Sequence, residues 1–255
     1  AEQNDFTLPG LLPIVWDRCY GSQNDRAGVC GLGWSCPADA RLTAEGEDIV
    51  FYDGGPDGVV FETLPKEAPV QEAVTGAVLD RKEGFYTVTV KSGQIYHFPA
   101  KQNPAAGIPA DHVSDRSGNR ITYVRNESGL AQINTSSGSI LDVTSQNGLI
   151  QKITLRTKEN PHRPLVRYEY NNKKELLAVY DAFDVPSRFE YGDKGLTKHT
   201  DRNNLSFVYE YDESGRCIYT SGDRGLYKYT FEYLPDRKTR VTDSLGNVSI
   251  LTYDE

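Results

Sequence analysis

Apolar and polar residues alternate along much of the second half of the chain. In residues 207–211 (FVYEY) the three aromatic side chains occupy every second position, with valine and glutamate between them. Because side chains of a β-strand alternate between its two faces, this pattern predicts a strand with one aromatic face. Residues 212–215 (DESG) then supply turn chemistry, and residues 216–220 alternate again as a return strand. The segment is predicted to be a β-hairpin.

The triplet aromatic-Glu-aromatic recurs at a regular spacing. The final tyrosines of four copies are separated by 21, 20 and 22 residues, and Tyr253-Asp254 lies 20 residues beyond the last copy. The copies are Tyr168-Glu169-Tyr170, Phe189-Glu190-Tyr191, Tyr209-Glu210-Tyr211 and Phe231-Glu232-Tyr233. An aspartate that opens a polar segment keeps the same period, at Asp181, Asp201, Asp223 and Asp243. This periodicity predicts a repeat array, here one continuous antiparallel ribbon of hairpins.

The first 105 residues differ in character from the rest. They are richer in glycine and proline and contain both tryptophans, Trp16 and Trp34. In residues 110–160, turn signals recur about every ten residues with short alternating strands between them, which is typical of all-β proteins. No stretch longer than about ten residues has helical periodicity. The sequence therefore predicts an all-β protein with a head domain at 1–105 and repeats at 106–255, of which the copies at 110–160 are weak and those at 161–255 are clear.

Charge and hydropathy exclude several classes of partner. The net charge is −8 and the isoelectric point is near 5.1, which argues against a nucleic-acid or anionic-membrane surface. The sequence contains no run of 18 apolar residues, so no membrane span is predicted. Methionine is absent even at position 1, and we expect the chain to be a piece of a longer polypeptide.

The repeated glutamates are the most tempting catalytic candidates. Glycosidases use two carboxylates about 5–10 Å apart, and glutamates on every second strand would be about 9–10 Å apart at a strand spacing of about 4.8 Å. That distance arises from repetition alone, and no member of the row Glu169, Glu190, Glu210 and Glu232 is distinguished from the others. We interpret the row as a polar strand face and predict no catalytic residue.

Other candidate chemistry is weaker. The four histidines are scattered without a convergent ligand set, so neither a metal nor a cofactor is predicted; they are His97, His112, His162 and His199. The acidic segment 53–58 could bind calcium but is better interpreted as a tight surface loop. Residues 31–34 (GLGW) lack the pattern of a dinucleotide-binding loop. A Cys30–Cys36 bridge is compatible with the loop length, although we favour reduced thiols for all four cysteines, Cys19, Cys30, Cys36 and Cys217.

The repeat and the head together resemble a known family. The segment YDESGR (211–216) and the period of about 21 residues resemble the YD repeat of Rhs proteins and of the related teneurin and Tc-toxin C shells. The matching repeat residues are Tyr170, Tyr191, Tyr211, Asp212, Gly215, Arg216, Tyr233, Tyr253 and Asp254. The start of the chain looks like the segment that introduces the Rhs core, through Asp5, Phe6, Leu8, Pro9, Gly10, Arg18, Tyr20, Gly33 and Trp34.

The resemblance implies a structural role without catalysis. In Rhs proteins the repeats form a curved, hollow shell that encloses a C-terminal toxin, and many are delivered to rival cells by type VI secretion. It implies as partners the remainder of the polypeptide and its enclosed toxin, with a secretion spike or chaperone and self-association through ribbon edges as further possibilities. The implied location is the bacterial cytoplasm and then a target cell. The family's self-cleavage motif contains Asp-Pro, which is absent here, so no catalytic residue is transferred.

A binding module is the alternative from another class. Rows of tyrosine and tryptophan stack on sugars, so the aromatic strand faces could form a carbohydrate- or cell-surface-binding platform. Cross-strand aromatic pairs also stabilise sheets by about 0.2–1 kcal/mol each, which accounts for the same rows without a ligand. We favour the structural interpretation and retain the binding module as the alternative.

Overall fold

The computed structural model describes residues 2–65, 68–82, 84–157 and 162–253. These residues form β-strands joined by tight turns, with three short 3₁₀ helices at Pro37–Asp39, Pro104–Ala106 and Asp223–Gly225. The chain divides into two compact units, Ala1–Tyr168 and Glu169–Glu255. The predicted division at residues 105 and 106 is a division by sequence character, and it stays a prediction.

The first unit contains most of the strands. Their bounds are β1 Glu2–Leu8, β2 Ile14–Tyr20, β3 Ala27–Gly28, β4 Gly31–Leu32, β5 Trp34–Ser35, β6 Arg41–Glu45, β7 Asp48–Tyr52, β8 Gly58–Phe61, β9 Val70–Gln71, β10 Val78–Lys82, β11 Phe85–Thr89, β12 Ile95–Pro99, β13 Ile108–Pro109, β14 His112–Ser114, β15 Arg120–Asn126, β16 Gly129–Thr135, β17 Ile140–Gln146 and β18 Leu149–Arg156. The last strand of this unit, β19 (Arg163–Tyr170), extends two residues past the division.

Three small sheets form the head of the first unit. They have the orders β1-β2-β5, β3-β4 and β13-β6-β7-β8. Their inward faces carry large buried side chains, among them Trp16, Trp34 and Phe51. Phe51 packs edge-on against Tyr96 and Phe98 of β12, with ring centroids 4.9 and 6.0 Å apart. The head therefore shares its core with the first strands of the long sheet.

The second unit is a succession of hairpins. Its strands are β20 Leu176–Tyr180, β21 Pro186–Gly192, β22 Gly195–Thr200, β23 Ser206–Tyr211, β24 Cys217–Gly222, β25 Tyr229–Leu234, β26 Lys238–Thr242 and β27 Val248–Thr252. Consecutive strands pair antiparallel from β20 to β27. The hairpin predicted from residues 207–220 is β23 and β24, in which Tyr209 lies opposite Thr220.

The fold class is confirmed as all-β with a continuous antiparallel ribbon. In the first unit a long sheet is formed by β9 to β12 and β14 to β19, each paired with the next, and in the second unit β20 to β27 pair in the same way. The alternation seen in the sequence appears as alternating burial, since along β21 Ser187 and Phe189 are buried while Arg188 and Glu190 are exposed. Hairpins therefore follow one another along the chain, as the sequence period predicts.

Candidate functional site

A buried ion pair lies at the centre of the head. Asp5 occupies a register shift between Asn4 and Phe6 in the β1–β2 hairpin, and its side chain is buried. Arg18 on β2 is only 1% exposed. The Arg18 guanidinium donates from Nε to Asp5 Oδ2 at 2.6 Å and from Nη2 to Oδ1 at 2.9 Å. This bidentate arrangement of guanidinium and carboxylate is the strongest ion-pair geometry available to these residue types.

Three aromatic residues complete this head cluster, which we define as Asp5, Arg18, Trp16, Trp34 and Tyr168. The Tyr168 hydroxyl donates to Asp5 Oδ2 at 2.7 Å and accepts from Trp16 Nε1 at 2.9 Å. The guanidinium of Arg18 lies 4.6 Å from the centre of the Trp34 ring. The cluster therefore joins the start of the chain to β19, 163 residues later.

The electrostatics of the head cluster favour a fixed ion pair. Burial by itself lowers the pKa of Arg18, but the charge of Asp5 and its hydrogen bonds raise the pKa well above the usual range. Burial and the nearby Asp5 carboxylate raise the pKa of the Tyr168 hydroxyl. Arg18 and Tyr168 are thus held in their protonated forms. The cluster positions strands and presents no group for acid–base chemistry.

The other residues of the head motif divide into two groups. Phe6 stacks on Trp16 with centroids 5.8 Å apart, and Tyr20 packs on Trp34 at 5.3 Å. Gly33 has a φ of +77°, and a Cβ at this position would lie 2.7 Å from Tyr20 Cε2. The second glycine of the GLGW segment is therefore required. Leu8, Pro9 and Gly10 continue outward from the end of β1, and Pro9 and Gly10 are exposed. The structure places these last three outside the cluster.

The repeat tyrosines share one hydrogen bond. The hydroxyls of Tyr191, Tyr211 and Tyr233 donate to main-chain carbonyls 15, 15 and 16 residues earlier in the chain. The acceptors are Leu176 at 2.9 Å, Leu196 at 2.7 Å and Cys217 at 2.8 Å. For Tyr191 and Tyr211 the strand register shifts immediately before the tyrosine. Each hydroxyl therefore satisfies a carbonyl near an irregularity in the ladder.

The same bond occurs earlier with other side chains. Arg125 Nη1 donates to the Ala110 carbonyl at 2.7 Å, and Ser145 Oγ donates to the Leu130 carbonyl at 2.6 Å. Both bonds span 15 residues, and both donors follow a register shift. We call all five bonds the carbonyl clamp. Arg125 and Ser145 occupy the position that tyrosine has in the later copies, so residue type does not indicate them, although their distance from the preceding turns does.

The remaining repeat tyrosines occupy less regular positions. Tyr170 ends β19 and is half-buried. The Tyr253 hydroxyl forms a hydrogen bond of 2.7 Å with the Thr239 hydroxyl instead of a carbonyl. Asp254, predicted to open the next copy, lies outside the described residues.

The aspartate of the repeat shapes the turn that follows. Asp212 Oδ1 accepts from the backbone N–H groups of Ser214 and Arg216, both at 2.9 Å, and these bonds help to lower the pKa of Asp212. Arg216 Nε also donates to Asp212 Oδ2 at 2.8 Å, and Gly215 adopts a φ of +80°. The same pair of backbone bonds recurs at Asp115, Asp181, Asp201 and Asp243. We call these five turns the aspartate turns.

Asp223 is an exception among the predicted aspartate markers. It opens a 3₁₀ helix, and its carboxylate accepts from the backbone N–H of Ser206 at 2.9 Å. Arg224 and Tyr227, which follow it, have φ values of +59° and +47°. The period of the sequence is kept here, but the turn geometry differs.

The repeated glutamates pair across strands. Glu190 contacts Lys198 at 3.1 Å, and Glu232 contacts Arg240 at 2.5 Å. Glu169 accepts from the Tyr180 hydroxyl at 3.0 Å, and Glu210 lies opposite Tyr219 in the ladder. All four glutamates are exposed on strand faces. This is the arrangement expected of a polar strand face.

The other candidates are dispersed or occupied. In the part of the chain that the structure describes, no three His, Cys, Asp or Glu residues converge as metal ligands. Asp53 Oδ1 accepts from the Gly55 N–H at 2.8 Å within its own loop. All four cysteines are free thiols. His97 and His112, on neighbouring strands, stack at 4.0 Å.

Across residues 2–65, 68–82, 84–157 and 162–253, no helix is long and apolar enough to cross a bilayer.

Comparison with known proteins gives relatives along the whole chain. Residues 1–61 match the family described as "Domain of unknown function (DUF6531)". The chain is 28% identical to double-stranded DNA deaminase toxin A of Burkholderia cenocepacia and 27% identical to the probable deoxyribonuclease RhsB of Dickeya dadantii. Each alignment covers 99% of this chain and 18% of the relative. The chain thus spans about a fifth of the length of these relatives.

A solved structure, the crystal structure of TcdB2-TccC3, shows a weaker likeness. The alignment covers 82% of this chain and 12% of that one, with 13% identity and a TM-score of 0.42. By sequence, this chain is homologous along nearly its whole length to an Rhs protein and to a DNA deaminase toxin. These relatives confirm the resemblance to Rhs proteins that the head motif and the repeats indicate.

Proposed function

We propose that this chain is a structural, non-catalytic part of the wall of an Rhs-type toxin polypeptide. The wall encloses a toxin located C-terminal to it in the same polypeptide. The observation that carries this proposal is the carbonyl clamp together with the aspartate turns. The repeated polar side chains in both are used to satisfy the chain's own backbone. A repeat used in this way is a building unit.

The repeat unit supports a wall that grows by addition. Each hairpin brings its own turn cap and its own bond to the preceding hairpin, so a further copy requires no new central core. The ion pairs of Glu190 with Lys198 and of Glu232 with Arg240 add contacts between paired strands of the same repeats. The four repeated glutamates all lie exposed on strand faces, and none of them is enclosed as a substrate site would require.

The exposed surface of the last strands supports a covering partner. Within the described residues, the last fully buried apolar side chain is Leu196. Beyond it, large apolar side chains are exposed on or beside β23 to β27, including Val208, Leu226, Val248, Ile250 and Leu251. An apolar surface of this kind marks an interaction site. The partner we propose is the rest of the same polypeptide with its enclosed toxin, ahead of a second copy, a secretion spike or a chaperone.

The relatives support the toxin context. Two of them are named as a DNA deaminase toxin and a probable deoxyribonuclease, and this chain covers about a fifth of each. We propose that the polypeptide is made in the bacterial cytoplasm and delivered to rival or host cells by type VI secretion. The enzymatic activity belongs to its C-terminal part.

Limited proteolysis of the longer polypeptide tests the enclosure. The toxin region should resist cleavage in the native polypeptide and become sensitive when Tyr191, Tyr211 and Tyr233 are all changed to phenylalanine. The change Tyr227→Phe is the control, because that side chain is 66% exposed. Equal cleavage of the toxin region in the native and triple-variant proteins, at the rate of the free toxin domain, would contradict the proposal.

The carbohydrate-binding alternative has less support. The Tyr211 hydroxyl donates to the Leu196 carbonyl, and both Tyr209 and Tyr211 are half-buried, so neither presents an open ring and a free hydroxyl to a sugar. Glycan-array binding that disappears in Tyr209→Ala/Tyr211→Ala, with the fold retained, would favour this alternative.

A further inference from the structure

A polar cleft of the head is lined by two arginines, Arg26 and Arg41, together with three acidic side chains. The cleft has a volume of about 530 Å³ and is lined by the loop at 21–28, by β5 to β7 and by Gly55 and Pro56. Arg26 comes from the loop, and Arg41 comes from the start of β6. Neither forms an ion pair among the residues that the structure describes, although the chain carries a net charge of −8.

Arg41 is held in place but incompletely bonded. Its guanidinium lies 3.7 Å from the centre of the Tyr52 ring, which fixes the plane of the group. Its Nε is buried and has no hydrogen-bond partner. A buried donor without an acceptor costs about 1–3 kcal/mol, more for a charged group, so the geometry favours an acceptor supplied from outside.

The pKa of Arg41 reflects its charged surroundings in the cleft. Burial and then the positive charge of Arg26 lower the pKa of Arg41, and Tyr52, Asp39 and Glu45 oppose the shift only in part. Two of the acidic side chains that line the cleft are also bonded to other groups: Asp39 accepts from the backbone N–H groups of Val29 and Cys36, and Glu45 accepts from the Tyr52 hydroxyl. An anion between the two arginines would remove their repulsion and supply the missing acceptor.

We propose that this cleft binds a carboxylate group, held by the guanidinium of Arg41 and by Arg26. A singly charged carboxylate fits better than a phosphate dianion, because Asp25, Asp39 and Glu45 also line the cleft. The rings of Trp34 and Tyr52 offer apolar walls for the carbon skeleton attached to the carboxylate. The group is either a small organic acid or an acidic side chain of a polypeptide segment.

Titration of the whole chain with three probes tests the site. The probes are benzoate, the peptide N-acetyl-(Glu)₄-amide and inorganic phosphate, and the readouts are the affinity and the ¹⁵N shift of the Arg41 Nε–H signal. Benzoate or the peptide should bind, and the Arg41 signal should shift with saturation. Arg26→Gln and Arg41→Gln should each weaken binding about tenfold or more.

Arg81→Gln is the matched control, because Arg81 also lies over a tyrosine ring, that of Tyr86 at 5.7 Å, but outside the cleft. Arg26 is exposed on a loop, so Arg26→Gln tests the site even if Arg41→Gln fails to fold. Binding of benzoate assigns a small organic acid, and binding of only the peptide assigns an acidic segment. Absence of binding by both, tighter binding of phosphate, or an equal loss in Arg81→Gln would overturn the proposal.

Discussion

At the scale of single residues, Asp5 and Arg18 form an ion pair that water does not reach. Removing one partner of such a pair leaves a buried charge without compensation. We expect Asp5→Ala to lower the free energy of unfolding by about 3–5 kcal/mol, as is typical when a buried pair is broken. Urea unfolding followed by tryptophan fluorescence measures this, since Trp16 and Trp34 both belong to the head cluster.

Asp17→Ala is the control for that change. Asp17 lies on the same strand as Arg18, but it accepts only the exposed bond from Asn4 at 2.7 Å. Asp17→Ala should lower the free energy of unfolding by less than about 1 kcal/mol, because an exposed polar contact contributes little to stability. The double variant Asp5→Leu/Arg18→Met should recover part of the loss. Equal effects of Asp5→Ala and Asp17→Ala would show that the buried pair contributes nothing special.

The carbonyl clamp gives a second prediction at this scale. Tyr211→Phe removes one hydroxyl and leaves the Leu196 carbonyl without that donor. We expect a loss of about 1 kcal/mol in the free energy of unfolding, the usual value of one hydrogen bond. Tyr227→Phe should leave stability unchanged, because its side chain is exposed. Identical unfolding curves for Tyr211→Phe and the native chain would refute the role given to the clamp.

At the scale of the hairpin, the aspartate turns require one residue with positive φ. This residue is Gly215 in the turn at Asp212 and Asn204 in the turn at Asp201, with φ values of +80° and +61°. No atom lies within 4 Å of a Cβ built on Gly215, so only the backbone opposes a side chain there. Gly215→Ala should therefore lower the free energy of unfolding, measured by thermal unfolding, by about 1–2 kcal/mol. Asn204→Gly should change it by only a few tenths of a kcal/mol. A neutral Gly215→Ala would show that the turn does not need the left-handed conformation.

The stacked histidines of β12 and β14 give a prediction for pH. Burial, followed by repulsion from His112, lowers the pKa of His97 to about 4; Arg120 also lowers it and Asp111 opposes the shift. An unfolded histidine has a pKa of about 6.5. Between these values the unfolded chain binds a proton that the native chain rejects, so stability should fall as the pH drops from about 6.5 to about 4. Above that window this histidine contributes no pH dependence.

His97→Gln provides the test of that assignment. The variant should flatten the stability curve between about pH 4 and 6.5, because the titrating group is gone. Ser114, which bonds His97 Nε2 at 2.9 Å, can still pair with the glutamine amide. An unchanged slope in the variant would assign the pH dependence to other groups.

Part of the fold was predictable because local physics specifies it. Alternation fixed the strand faces at residues 207–211, and Asp212 with Gly215 specified the turn through one carboxylate and one positive φ. The residue types of Arg125 and Ser145 were not predictable, because any donor that reaches the carbonyl can form the clamp; only the distance from the preceding turn indicates these positions. Tyr168 was recognised as a repeat residue, but its bond to Asp5 spans 163 residues and leaves no local signal. The same holds for the cleft formed by Arg26 and Arg41.

At the scale of the whole molecule, burial of apolar side chains is unequal along the chain. The head and the first strands of the long sheet bury large side chains such as Trp34 and Phe98, whereas β27 is exposed throughout. In the second unit β27 pairs with β26, and Val248, Ile250 and Leu251 of β27 have exposed side chains. An exposed apolar surface of this kind promotes association. The chain should therefore behave as an incomplete wall.

Light scattering of the purified chain, combined with binding of a dye that detects apolar surface, tests this central claim most directly. We predict self-association or strong dye binding, both reduced in Val248→Lys/Ile250→Lys, where charges replace the exposed apolar pair of β27. Val74→Lys is the control, because that side chain is 92% exposed in a loop of the first unit. A compact monomer that binds no dye would contradict the account.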